Sequence, residues 1–414
     1  MGVEMPLVAA VLGRLPESEV QLAAFGGVIF PVALLIESPV IMLLAASTRL
    51  SDSPGNFEFL RRFSRILGIS LTSIHALVAF TPLFDLLVVP FVDPPVEVIE
   101  PARIGFCCMV PFTWAVAERR FHQGLLIRFG HQNQVGLGSV LRIIGTATVL
   151  LAMPALVSTE EIGGATIAGL AISVGVMVEA MFALIMSRRV INGPLRTSGG
   201  SSPQLNLATT IHFFFPLALT SMMSLATQPI GSAGMNRMPE ALASLAIWPA
   251  VGGLSFLLRS SGVAFTEVAV RHAGDENARR PLFIFALLAG GALSLITVCF
   301  ALDPLATFWY VDTEGLPNEV LELARAATWA IVPLPLLTFL ASYWQGILVD
   351  AHRTRPVSEG VGIGLVAISI ILIVIAWTDA VSGAIGASIA FSVGAAAQCA
   401  WLAIRANQKI TPES

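Results

Sequence analysis

The sequence predicts an all-α integral membrane protein made of two six-helix bundles related by a pseudo-twofold axis along the membrane normal. Three observations predict it. The 414 residues are 55% hydrophobic and only 12% charged, with a mean hydropathy of +0.81, whereas a soluble domain carries about 25% charge. The apolar residues fall in blocks long enough to cross a bilayer. The chain also repeats itself at an offset of 222 residues. So little polar side chain cannot cover a water-facing surface of this size, which excludes an ordinary soluble enzyme, a disordered chain and a nucleic-acid binder.

Full spans are predicted near residues 22–47, 66–92, 101–127, 134–157, 162–187, 207–230, 241–266, 281–308, 319–349, 357–378 and 381–404, with a short apolar piece at 5–12 opening the chain. Loop charge alternates strictly between them. One set of loops holds Arg49, Arg61, Arg62 and Arg65, then Arg119, Arg120, Arg128 and Arg142, then Arg188, Arg189 and Arg196, then Arg271, Arg279 and Arg280, then Arg353 and Arg355, then Arg405 and Lys409, in all 18 of 23 basic residues. The other set is acidic: Glu17 and Glu19, then Asp93, Glu97 and Glu100, then Glu160 and Glu161, then Asp303, Asp312, Glu314, Glu319 and Glu322. Basic loops stay in the cytoplasm, so loops 48–65, 118–142, 188–206, 267–280 and 350–356 and the C-terminus are expected there. The four cysteines lie inside apolar blocks with no CxxC spacing, so neither a disulfide framework nor a metal site is expected. The N-terminus lacks the basic region of a cleaved signal peptide.

The repeat is specific. EVIEPAR at 97–103 matches EVLELAR at 319–325, Pro111 matches Pro333, and Gln123-Gly124 matches Gln345-Gly346. GATIA at 164–168 pairs with GASIA at 386–390. At the front, Arg14, Pro16 and Glu17 match Arg237, Pro239 and Glu240 at 223, so the offset loses one residue between Ala23 and Glu37. The expected division is an N-terminal repeat at 1–190, a cytoplasmic linker at 191–206 and a C-terminal repeat at 207–414. Parallel repeats of this kind build transporters around a central cleft. Residues 207–223 have no partner in the first half, so its first helix reads as truncated, or roughly 15–20 residues of apolar helix are expected to precede Met1, enough to complete a span.

The entries RLPESEVQLAAFG and RMPEALASLAIWP, the helix ends QGLLIRFGHQNQ and QGILVDAHRTR, and the starts GATIAGLA and GASIAFSV resemble the MATE branch of the multidrug/oligosaccharidyl-lipid/polysaccharide exporter superfamily. FFFPLAL…ATQ (213–228) and SVLRII (139–144) resemble segments of the progressive ankylosis branch, whose members are implicated in export of pyrophosphate and other small anions. The resemblance implies a twelve-helix exporter. Many MATE exporters couple to a cation through an acidic residue in the first helix, in a part this sequence lacks.

No GxxxxGK[ST], HExxH or GxSxG motif is present, and GVGIG at 360–364 reads as helix packing. No cofactor is expected. The site candidates are ionisable residues inside spans, because a charge in hydrocarbon needs water or a partner. Glu37 and its repeat mate Arg259 carry opposite charges at equivalent positions and are expected to meet across the axis, as a gate or as a fixed ion pair. Glu100 with Arg103, and Glu322 with Arg325, form two i, i+3 pairs at the outer mouth. Asp85 and Glu179 are ion-coupling candidates. His75, His122 and His212 could titrate, a buried hydrogen bond being the plainer reading for each. The span at 207–230 is the most polar, and His212, Thr220, Ser224 and Gln228 are candidates to line a solute path.

The expected function is a secondary-active transporter in the inner membrane of a bacterium, an exporter moving a small organic solute by alternating access. A pyrophosphate or small-anion exporter is the alternative within transport. A non-transporting membrane enzyme or lipid-handling scaffold is the alternative of another class. The expected partners are membrane lipid, a small-molecule or anionic solute and a proton or sodium ion; the chain is expected to be a monomer.

Overall fold

A computed structural model describes residues 4–157, 162–198 and 204–408. Glu160, Glu161, Lys409 and part of the expected linker lie outside the described residues. The fold is built from helices, with no strand among the described residues.

Seven helical segments in the first half are matched by seven in the second. They are α1 (Glu4–Leu12), α2 (Ser18–Leu50), α3 (Pro54–Phe80), α4 (Val96–Cys108), α5 (Val110–Arg128), α6 (Gln132–Leu156) and α7 (Gly164–Asn192). Their mates are α8 (Leu207–Met235), α9 (Ala241–His272), α10 (Glu276–Phe300), α11 (Leu321–Ile331), α12 (Leu334–Asp350), α13 (Arg355–Thr378) and α14 (Gly383–Asn407). Ten helices are long and apolar enough to cross a membrane. The α4–α5 pair is not among them, because Glu97, Glu100, Arg103, Glu118, Arg119 and Arg120 dilute its apolar character.

The repeat residues explain the helix breaks. Pro111 and Pro333 occupy the same repeat position, and each lacks the N–H that would continue the preceding helix. α4 accordingly ends at Cys108 and α11 at Ile331. Gly124 and Gly346 are also mates. A Cβ on Gly124 would sit 2.4 Å from the Leu44 carbonyl oxygen, and one on Gly346 2.5 Å from the Ala269 Cβ. Both glycines therefore let the central helix, α5 or α12, press against the long helix at the start of its repeat.

The one-residue change of offset has a physical form as well. Residues Ala23–Ile29 of α2 are a π-helix, the local geometry that absorbs a single extra residue in an α-helix. The mate, α9, runs as uninterrupted α-helix.

The chain packs as two compact units. The N-terminal unit is Leu15–Pro229, in which α5 packs on α2, α3 and α7, and α6 and α4 pack on α7. The C-terminal unit is Ile230–Ser414 together with Met1–Arg14, in which α12 packs on α9, α10 and α14, and α13 and α11 pack on α14. The same pairs of mates thus meet in each unit. Short α1 packs on α9. Most of α8 counts with the N-terminal unit, where Phe214 stacks edge-on against Phe63 at 5.3 Å.

Two expected loops are corrected. Loop 48–65 is mostly helix: Ser53 caps α3 by accepting from the Asn56 N–H, Pro54 opens it, and Arg61 and Arg62 pair with Glu58 at 2.8 and 3.5 Å. Loop 118–142 shrinks to 129–131, with Arg119 and Arg120 inside α5 and Arg142 inside α6. Loop charge alone does not separate a loop from a charged helix end, or from a buried arginine that has found a carboxylate.

Candidate functional site

The charged centre of the N-terminal unit is built where α5, α6 and α7 meet. Glu179 of α7 accepts hydrogen bonds from Arg119 Nη1 at 2.6 Å, Gln123 Nε2 at 2.9 Å and Ser139 Oγ at 3.1 Å, and Arg142 Nε lies 3.6 Å from it. The side chains of Arg119, Arg142 and Glu179 are 3%, 3% and 1% exposed. Arg119 and Gln123 are four apart on α5 and so share one helix face. Gly138 and Gly175 keep α6 close enough to α7 for the reach: a Cβ on Gly175 would collide with Thr146 Oγ1 at 2.1 Å.

Around this core the network extends along α5. Arg120 feels the charges of Glu37, Glu179, Arg119 and Arg142. Glu37 lies on α2 and is 2% exposed. Glu118 pairs with His122 at 3.3 Å and with Arg65 at 3.6 Å, and His122 Nδ1 meets Ser187 Oγ at 2.8 Å. Arg119, Arg120 and Arg142 against Glu37 and Glu179 sum to one net positive charge. Arg128, at the end of α5, donates to the carbonyls of Thr48 and Arg49 at 2.9 Å each and so closes the C-terminus of α2.

Glu37 belongs to the N-terminal unit and Arg259 to the C-terminal unit. Among the described residues of its own unit, no acidic side chain reaches Arg259, which is half-buried on α9. The outer-mouth pairs form in both repeats: Arg103 lies 3.4 Å from Glu100, and Arg325 2.7 Å from Glu322. Each arginine also bridges to an aspartate from the preceding segment, Arg103 to Asp85 and Arg325 to Asp303, the latter at 3.1 Å. Asp85 follows the break at Thr81 rather than continuing α3.

The polar residues of α8 divide. Thr210, Phe214, Ala218 and Ser221 form its buried stripe, while His212 and Ser224 are exposed. Thr220 Oγ1 donates back to the Pro216 carbonyl at 2.8 Å, and Gln228 is half-buried. His75 is held in the core between Thr113 Oγ1 at 2.8 Å and the Phe106 carbonyl at 3.2 Å.

In the C-terminal unit the buried acid is Glu314, which lies between the spans Glu276–Phe300 and Asn318–Asp350. Burial pushes its pKa up to about 9, against the pull of Arg14. Arg14, at the end of α1, donates to the Thr313 carbonyl at 2.9 Å and to the Asp312 carbonyl. Among the described residues no group of three or more His, Cys, Asp or Glu side chains could hold a metal.

No protein-family model and no curated protein matches the sequence. Solved structures do match. An inward-facing multidrug resistance MATE family transporter of the MOP superfamily superposes with a TM-score of 0.75 at 15% identity, over 98% of this chain and 94% of that one. The chain has the MATE fold. The lipid II flippase MurJ, in an inward closed conformation, matches with a TM-score of 0.69 at 12% identity, over 98% and 87% of the two chains. The Vibrio cholerae MATE transporter VcmN matches at 0.63 and 16% identity, over 98% and 96%. On the MATE fold the Glu179 centre falls in the first six-helix unit.

Sequence reasoning flagged Glu179 and Glu37 but missed Arg119, Arg120, Arg142, Gln123 and Ser139, which surround them. The missed signal was in the repeat. The mates of Arg119, Arg142 and Glu179 are Ala341, Gly364 and Trp401, and positions that are apolar or small in one half point to buried positions in the other.

Proposed function

We propose that this chain is a secondary-active transporter that exports a small organic solute by alternating access of its two six-helix units. The observation that carries the reading is the match of 98% of the chain to the MATE fold. The description of that neighbour as a multidrug resistance transporter supports a multidrug-type solute. The loop arginines support a bacterial inner membrane with the C-terminus in the cytoplasm.

The N-terminal unit is proposed to hold the coupling ion, a proton or sodium. Glu37 is its binding group: a buried carboxylate whose charge acts on Arg120, so that ion binding changes what Arg120 feels. Glu179, held by two arginines, is the fixed counter-charge rather than the moving one. Glu37 and Arg259 are proposed to be energetically coupled through the cycle. His212, Thr220, Ser224 and Gln228 are proposed to line the solute path, Ser224 and His212 through their exposed positions. Asp85 is assigned to the outer-mouth ion pair.

The test is efflux of fluorescent lipophilic cations from proteoliposomes under imposed proton, sodium or anion gradients. The expected result is gradient-driven efflux in the wild type and loss of gradient dependence in Glu37→Gln, with the protein still folded. Flux driven only by an anion gradient would favour the small-anion alternative. No flux of any tested solute under any gradient, from correctly inserted protein, would sink the transport reading.

A further inference from the structure

Between α13 and α14 an open groove of about 670 Å³ indents the surface of the C-terminal unit. Gly362, Ile363, Val366, Ala367 and Ile370 line its length, and Glu359, Trp401 and Arg405 lie at one end. Both helices are long and apolar enough to cross a bilayer, and Val366 and Ile370 are more than half exposed. A groove so lined on a spanning helix offers nothing to hold water by hydrogen bonds and is filled by hydrocarbon.

The charged end calls for an acceptor. Arg355 lies 3.0 Å and Arg405 3.7 Å from the Glu359 carboxylate, and the Arg405 guanidinium stands over the Trp401 ring at 5.5 Å. The Nε–H of Arg405 and the indole N–H of Trp401 are both buried without a hydrogen-bond partner. Buried donors are normally satisfied. The two arginines and one glutamate leave one net positive charge. One chemistry answers every element: a phosphate oxygen for two donors and a positive end, attached to hydrocarbon for the groove.

We propose that this groove binds an anionic phospholipid, its acyl chain lying along Ile363, Val366 and Ile370 and its phosphate accepting from Trp401 and Arg405. The site is confined to the C-terminal unit. The repeat mates of Glu359, Trp401 and Arg405 are Leu137, Glu179 and Ala183, which would neither donate to a phosphate nor attract it. The inference rests on the membrane-spanning helices and not on the transport reading, so flux results leave it standing.

The full chain is reconstituted in phosphatidylcholine vesicles containing tail-brominated phosphatidylglycerol or tail-brominated phosphatidylcholine, at equal mole fraction. Bromine quenches tryptophan on contact, and the Trp401 share is the difference between wild type and Trp401→Phe. The expected result is an apparent affinity for phosphatidylglycerol about five-fold above that for phosphatidylcholine, the weight of one basic contact. Arg405→Gln should bring the two lipids level, and Arg355→Gln should lower the preference if Arg405→Gln fails to fold. Inorganic phosphate should leave the quenching unchanged. Equal quenching by both lipids in the wild type would overturn the proposal, leaving only bulk lipid in the groove. So would a preference that survives both arginine changes, or displacement of the lipid by phosphate.

Discussion

At the meeting of α5, α6 and α7, the N-terminal unit buries Arg119, Arg142 and Glu179. At the meeting of α12, α13 and α14, the C-terminal unit has Ala341, Gly364 and Trp401 at the same repeat positions. The backbones pack alike: mates meet mates, the same proline breaks the same helix, and the same glycine admits the same neighbour. One packing scheme thus tolerates either an ionic or an apolar interior. An ion cluster is therefore not needed to form this bundle, and a buried ion cluster is weak evidence of stability in its own right. Its presence in one unit alone suggests that the charges serve a task which only that unit performs.

The largest expected effect breaks the comparison at its centre. Glu179→Gln leaves Arg119 and Arg142 buried against one another, and stranding a buried charge costs about 3–5 kcal/mol. The purified protein should lose most of its thermal stability. The triple change Arg119→Met, Arg142→Met and Glu179→Leu gives the interior the apolar character of its mate and should recover most of that loss, because no charge is left without a partner. A Glu179→Gln protein that melts with the wild type would show that the arginines are held by something else, and the contrast between units would lose its basis.

Next in size is the coupling between Glu37 and Arg259. Glu37→Gln and Arg259→Gln, singly and together, should deviate from additivity by about 0.5–3 kcal/mol in stability. The double mutant is expected to fold better than the worse single mutant. Strict additivity in both stability and flux would separate the two residues.

Much of this was legible in the sequence. Apolar blocks place the spans, and the 222 offset places the breaks at Pro111 and Pro333 and the close approaches at Gly124 and Gly346. Even the π-helix at Ala23–Ile29 was visible as a one-residue change of offset. The Glu179 centre was not legible, because Arg119 and Glu179 lie 60 residues apart and no local pattern joins them. Reading loop orientation from arginines made matters worse, since it assigns every basic residue to water. Comparing each charged residue with its mate would have separated Arg142, opposite Gly364, from a loop residue.

Glu314 distinguishes the C-terminal unit by acidity rather than by pairing. Its carboxyl is raised from an ordinary value of 4.5 to about 9 by burial. The folded state therefore holds a proton that the unfolded state has released. The stability from Glu314 is complete below about pH 4.5 and falls as pH rises towards about 9. Glu314→Gln should melt above the wild type at pH 8 and level with it at pH 5. Parallel melting curves across that range would mean that the carboxyl is ionised in the folded protein.

The smallest effect is expected where the two units agree. Arg103→Gln and Arg325→Gln each remove half-exposed pairs, worth about 0–1 kcal/mol. The two losses should be similar and should shrink together in high salt. A loss from one variant several times the other would extend the asymmetry to the outer mouth.

The docking of α1 sets a clock on biosynthesis. Arg14 is among the first residues to leave the ribosome, yet the carbonyl it binds belongs to Thr313, 299 positions later. At roughly 5–20 residues per second, the opening segment waits on the order of 15–60 s for its seat to be made. The N-terminal unit begins at Leu15 and can close in that interval, while α1 stays undocked beside a nascent membrane protein. Strains short of insertion factors should therefore lose this protein first through its opening segment, long before either six-helix unit fails.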